Sequence, residues 1–247
     1  FPDREARHVE EQVISAGHFH GMPLALAMSA VKAAIPALAS ISERRLNKLV
    51  DPATSDGLPA FLIGNEDGTE SGYMIVQYTA AAIVNDLATR AHPASVYSIP
   101  TSANAEDHVS MGTNEARHVL SMVDDLGKVL ALELYTAAQA LDLRLDMINA
   151  ARELADRSDA ANFARKIHGV DAGHPLHADF LAEVESLREE LAAAAPFQPG
   201  RAVAAAHAAI RERIVQRLAG HDLVLALGAP AFSYHVEGEG PHVPEGA

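Results

Sequence analysis

Cysteine is missing from all 247 residues. That absence excludes disulfides, a thiolate nucleophile and Cys-ligated zinc, and it fits a reducing, cytoplasmic setting. Basic clusters are lacking too. The formal net charge is −14, and an acidic surface repels phosphate backbones, so no nucleic-acid partner is expected. No apolar run reaches about 18 residues without a polar interruption, so no membrane partner is expected either. The chain opens Phe1-Pro-Asp-Arg-Glu-Ala-Arg, charged from the outset and without an initiating Met, so no secretory leader is expected. A piece of a longer polypeptide is therefore expected. The phosphate-binding patterns GxGxxG and GxxxxGK[ST] do not occur, nor does the GxSxG nucleophile elbow.

What is present is apolar and helix-forming. Hydrophobic residues make up 49% and aromatics only 5%, and alanine, the best helix former, dominates the apolar share. A first helix is expected from Met22-Pro23, with an apolar stripe at Leu24, Ala27, Met28, Val31, Ala34, Ile35, Leu38 and Ile41. Pro36 should kink it and Asp51-Pro52 should end it. Tyr73 to Val84 is apolar nearly all round, as in a helix inside a bundle. A long helix over 114–146 carries Val119, Val123, Leu126, Leu130, Leu134, Ala137, Leu141 and Leu145 as a seam. Gly127 within it suggests close packing or a slight bend. Further helices are expected near 147–156, 159–168, 176–195 and 200–219. The class is all-α, a long-helix bundle. Its organisation is an irregular lead-in over 1–21, a central bundle segment over 22–146, a helical region over 147–227 and a flexible tail over 228–247. A short extended piece is expected at Glu11-Gln-Val-Ile-Ser.

Between the second and third helices lies an unusually long, turn-rich loop holding Glu106, Asp107 and His108 side by side. A carboxylate there can serve as a general acid or base; alternatively Asp107 merely caps the next helix, a role open also to Ser110 or Thr113. His18-Phe19-His20 offers two nitrogens to a metal but no third ligand nearby, and Phe19 serves equally as a pocket wall. Ser42-Glu-Arg-Arg45 reads as an ion-pair network.

The loop from Ala91-His-Pro-Ala-Ser to Asn104-Ala-Glu-Asp-His-Val-Ser-Met-Gly112 resembles the signature of the histidine/aromatic amino acid ammonia-lyase family. The similarity runs in order through Val13-Ile-Ser-Ala-Gly-His-Phe-His-Gly21, Ile41-Ser-Glu-Arg-Arg45, Glu70-Ser-Gly-Tyr-Met-Ile-Val-Gln-Tyr78 and Leu130 to Arg144. Past Arg144 the chain resembles the family only in being helical. The resemblance implies a fold of the ammonia-lyase and fumarase-aspartase type and a homotetramer. It implies elimination of ammonia from histidine, tyrosine or phenylalanine, or, in aminomutases, migration of the amine to the β-carbon. It also implies an electrophilic methylidene-imidazolone formed from an Ala-Ser-Gly tripeptide, a tyrosine base from a mobile loop and an arginine for the substrate carboxylate.

No Ala-Ser-Gly occurs in this chain. In the family that segment lies upstream of the part matching Val13. The expectation is a C-terminal fragment, inactive alone, that works as a homo-oligomer or with an N-terminal half. Glu106 carries over as the catalytic carboxylate facing an aromatic amino acid substrate. Phe19 carries over as the pocket phenylalanine, with His18 where many members have Asn. Ser102, Asn104 and Ala105 carry over as substrate-binding neighbours, though Ala105 replaces a polar residue. A 2,3-aminomutase and a non-catalytic helical scaffold are the competing expectations.

Overall fold

The computed structural model describes residues 19–64, 71–169 and 177–218. The extended piece expected near Glu11, His18 and the tail over 228–247 lie outside the described residues. Six α-helices follow one another: α1 Met22–Val50, α2 Met74–Arg90, α3 Gly112–Arg157, α4 Ala160–His168, α5 His177–Ala193 and α6 Arg201–Leu218. Among the described residues there is no strand beyond one isolated bridge. The all-α expectation holds. The region from 114 to 156 is one helix rather than two, because no Gly or Pro interrupts it between Gly127 and Arg157.

Local signals explain the ends. Gly21 takes φ +67, and its carbonyl accepts from Leu24 and Ala25, turning the chain into α1 with Pro23 in the first turn. After α1, the Asp51 side chain accepts from the Ala53 N–H in a turn at 3.0 Å. Asp159 caps α4 by accepting from Asn162, and Gly169 closes it in the left-handed conformation.

The buried faces of the long helices are not the ones their apolar stripes suggest. On α1 the buried residues include Ala25, Ser29, Lys32, Ala39, Glu43, Leu46 and Val50; of the expected stripe Ile35 is buried, while Leu24, Val31, Leu38 and Ile41 are exposed. On α3 the buried set contains Glu115, Met122, Val129, Thr136 and Leu143, while Val123, Leu130 and Leu134 are exposed. α2 buries Ala80 and Leu87, in line with Tyr73 just before it, and exposes Tyr78. Each helix thus buries a seven-residue spacing, as bundle helices do, but displaced from the most apolar stripe. The reason is that polar side chains hold the buried seam through hydrogen bonds and ion pairs, leaving the larger apolar side chains outward. Gly127 is not a close-packing site among the described residues: nothing there lies within 4 Å of where its Cβ would stand. By length and composition α1 would suffice to cross a membrane, although Ser29 and the buried Lys32 interrupt its apolar run.

The described residues divide into two compact units, one drawn from Phe1–Leu38 and Asn85–Leu126, the other from Ala39–Val84 and Gly127–Ala247. In the second unit Leu46, Val50, Leu58, Leu62, Tyr73, Ala80, Ala140 and Leu143 form one core. Ala155, Phe163, Ala164 and Val184 form another, under α4 and α5. Ser42-Glu-Arg-Arg45 is an ion-pair network, as expected. Arg44 grips Glu43 at 2.5 and 2.7 Å, Gln77 donates to Glu43 at 2.7 Å, and Arg45 and Ser42 both reach Glu133 at 2.5 Å.

Before α2 the backbone allows no side chain at Gly72. It sits at φ +49, and a Cβ there would stand 2.4 Å from the Phe61 carbonyl oxygen and 2.5 Å from Ile63. The next residue, Tyr73, donates its N–H to that same carbonyl at 2.9 Å. Gly72→Ala is expected to cost more than about 2 kcal/mol, since left-handed strain and overlap act together. Urea unfolding of the variant against the parent measures it.

Candidate functional site

The site is built within the first unit, where the loop between α2 and α3 turns beside the start of α1. The loop begins with a buried anchor. Ser95 donates its backbone N–H to Glu115 Oε1 at 2.9 Å, and the Ser29 hydroxyl donates to the same oxygen at 2.9 Å. The two hydroxyls, Ser29 and Ser95, lie 2.9 Å apart. Lys32 Nζ stands 2.8 Å from Glu115 Oε2, with both side chains fully buried, and 3.0 Å from His118 Nδ1. An ion pair out of water depends on hydrogen bonds to its remaining atoms; here Oε1 has two donors, and Oε2 faces the Lys32 ammonium with no further hydrogen bond. Burial alone would raise the Glu115 carboxyl; the Lys32 ammonium, the Ser95 N–H and the Ser29 hydroxyl outweigh it and hold it down to about 2. One carboxylate therefore ties α1, the loop and α3 together.

Further along, the chain makes a tight turn. Thr101 and Glu106 exchange backbone hydrogen bonds at 2.9 and 3.3 Å, and Ala105 donates to the Ser102 carbonyl at 3.0 Å. Between them Ser102, Ala103 and Asn104 take φ of 53, 54 and 68. Three consecutive non-glycine residues in the left-handed region cost roughly 1–2 kcal/mol each. Such strain persists only where the surroundings over-determine it. Here the bridge on either side supplies that constraint. It presents Glu106 half-buried and Ser102, Asn104 and Ala105 exposed.

The Glu106 side chain is held as well. His20 Nε2 stands 2.5 Å from Glu106 Oε2 across 86 positions of sequence. The His20 carbonyl accepts from the Ser110 hydroxyl, which lies just before α3. Phe19 meets the His20 ring edge-on, centroids 4.7 Å apart, and is itself 77% exposed. The structure thus brings Phe19 and Glu106 together through His20 and gathers Ser102, Asn104 and Ala105 onto the same turn as Glu106.

Asp107 and His108 are exposed. Asp107 does not cap α3, which starts five residues later at Gly112. The Gly112 N–H instead points to the Ser110 hydroxyl at 3.4 Å, one of the two alternatives the sequence left open; Thr113 lies inside the helix. Among the described residues no group of three His, Asp or Glu side chains stands together as a metal site.

Sequence reasoning weighed His20 only as half of a metal pair and passed over Ser29, Lys32, Ser95 and Glu115. One signal was there to read. A lysine three residues after a serine, inside an otherwise apolar helix, needs a buried partner or an exit to water.

A family model described as aromatic amino acid lyase matches residues 4–164, so the likeness begins before Val13 and runs past Arg144, where the sequence was expected to resemble the family only in being helical. The histidine ammonia-lyase of Natranaerobius thermophilus is 56% identical over 135 residues, covering 55% of this chain and 26% of that protein. A solved histidine ammonia-lyase from Trypanosoma cruzi is 31% identical with a TM-score of 0.52, over 82% of this chain and 37% of that one. The tyrosine aminomutase of Streptomyces globisporus is 30% identical at a TM-score of 0.52, over 73% of this chain and 34% of that one. The match to the Natranaerobius protein spans about a quarter of its length.

The ion pair sets an acid limit on this unit. With the Glu115 carboxyl held at about 2 against an ordinary 4.5, the folded state binds the proton less tightly than the unfolded chain. The stabilisation is full above about pH 5 and is lost as pH falls from there toward 2. Glu115→Gln should flatten that part of the stability profile. Lys32→Met, which leaves the carboxylate buried without a counter-charge, should cost about 3–5 kcal/mol near neutral pH. Thermal melts from pH 7 down to 3 distinguish the three proteins.

Proposed function

The chain belongs to the aromatic amino acid lyase family, and from that membership we propose that it is the C-terminal portion of an ammonia-lyase acting on histidine, with tyrosine as the second candidate. The reaction is non-oxidative: the α-amino group leaves as ammonia and the product is the α,β-unsaturated acid. The observation that carries this proposal is 56% identity to a histidine ammonia-lyase over 135 residues.

Removing a proton from an unactivated β-carbon is difficult, and in this family a methylidene-imidazolone supplies the electrophile that offsets the difficulty. The group requires an Ala-Ser-Gly tripeptide, which the 247 residues do not contain. The residues present do not supply it. This chain contributes a carboxylate in a fixed place. Ionised Glu106 is purely an acceptor, suited to receive an N–H from a substrate ammonium or imidazole and to carry a proton between them. Phe19 offers an apolar edge to the substrate ring, while Ser102 and Asn104 offer polar atoms beside the carboxylate. Ala105 offers none.

A 2,3-aminomutase is the second reading, favoured by the similarity to the tyrosine aminomutase. Product analysis separates the two: free ammonia with the unsaturated acid, or a β-amino acid. A scaffold role without chemistry is the third.

The exposed Leu24, Leu26, Val31, Leu38 and Ile41 of α1, with Leu120, Val123, Leu130 and Leu134 of α3, support oligomerisation, because a lone chain seldom leaves so many large apolar side chains in water. We expect these faces to be covered in a homotetramer or by an N-terminal half.

Purified alone, the chain is expected to release no ammonia from histidine or tyrosine; release would overturn the dependence on the Ala-Ser-Gly segment. In the complete lyase, Glu106→Ala should lower kcat by about 10²–10⁴-fold, the range for a lost acid–base group. Light scattering should find the chain oligomeric, and a monodisperse monomer would count against covered apolar faces.

A further inference from the structure

We propose that His20 is the positioning residue of Glu106: its Nε2 engages Oε2 of the carboxylate and leaves Oε1 for the substrate. The inference rests on the lyase reading, which places Glu106 in the chemistry.

Three contacts fix His20. Its carbonyl accepts from Ser110, its ring nitrogen meets Glu106, and its ring lies edge-on to Phe19. The backbone immediately after it is set by the Gly21 turn into α1. His20 therefore has little freedom left to spend.

Glu106 is complementary. Its backbone is clamped on both sides by Thr101, so the remaining disorder lies in the side-chain torsions. An untethered glutamate samples several rotamers, and fixing it costs entropy at the moment of binding. The 2.5 Å contact to His20 removes that freedom beforehand. Both side chains are only partly exposed, at 28% and 29%, so water competes for the bond less than it would on an open surface.

The chemistry fixes which atom matters. A carboxylate only accepts, so the ring must present Nε2–H, and a replacement succeeds only if it places an N–H at the same reach. Glutamine extends its amide nitrogen about as far as Nε2. Asparagine, one methylene shorter, reaches only the level of Nδ1. The pair Gln and Asn therefore separates positioning of Glu106 from a general structural need at residue 20.

The test has two arms. In this chain, with ¹⁵N-labelled histidine, Glu106→Gln should shift the His20 Nε2 resonance. In the complete lyase, His20→Ala should lower kcat/KM by about 10–100-fold, the scale of a group misplaced by about 1 Å. His20→Gln should restore it to within a few-fold and His20→Asn should not. Combined with Glu106→Ala, His20→Ala should cause no further loss. An unshifted resonance, equal rescue by Asn and Gln, or additive losses would overturn the inference and leave the lyase reading intact. Parental turnover in Glu106→Ala would instead remove Glu106 from the chemistry, and the role of His20 with it.

Discussion

The Glu115 carboxylate is the point on which the candidate site depends. It is buried, charged and shared among α1, the loop and α3: Lys32 neutralises it from the Oε2 side, and Ser29 and the Ser95 N–H donate to Oε1. A buried charge is expensive unless every member of its network is present. The start of the loop between α2 and α3 is therefore not free to drift, since moving Ser95 would leave the carboxylate short of a donor. The loop's far end is held by different means, a backbone bridge at Thr101 and Glu106 and a hydroxyl from Ser110 to His20. Between these two anchors a run of left-handed residues can be sustained, and that run sets where Glu106 stands.

This arrangement also explains why the helices face as they do. The seam of α1 carries Ala25, Ser29, Lys32, Ala39 and Glu43 because small and polar residues let ion pairs and hydrogen bonds close inside the protein. The bulky apolar residues Leu24, Val31 and Leu38 stand one position earlier, about 100° round the helix from the buried seam. A chain that needed only its own core would bury Leu24, Val31 and Leu38 in preference to lysine and serine. Their exposure is consistent with a protein whose apolar faces meet other polypeptide, as proposed above, and with the two roles of these helices: polar contacts within the chain, apolar area outside it.

Much of the fold was legible. Helix starts at Met22 and near Gly112, ends at Asp51 and Gly169, and the breaks around α5 and α6 follow from Pro, Gly and capping chemistry that act within a few residues. Family membership was legible from the loop and its companion motifs. Glu106 was legible as the residue to watch. Which face of each helix goes inward was not, because hydrophobic periodicity ranks residues by their dislike of water and cannot see a lysine's partner 83 residues away. His20 was missed for the same reason: its partner is separated from it by 86 positions.

By itself, then, the sequence determined the class, most helix boundaries (the break expected after 146 is absent from α3), the family and the absence of an Ala-Ser-Gly tripeptide from these residues, since each is written in local residue types or their order. Only the tertiary structure decided that Lys32 and Glu115 pair in the interior, that Ser102 to Asn104 are wound left-handed and that His20 grips Glu106. Those features arise from long-range closure, where burial strips water from polar atoms and the groups that replace it come from distant parts of the chain.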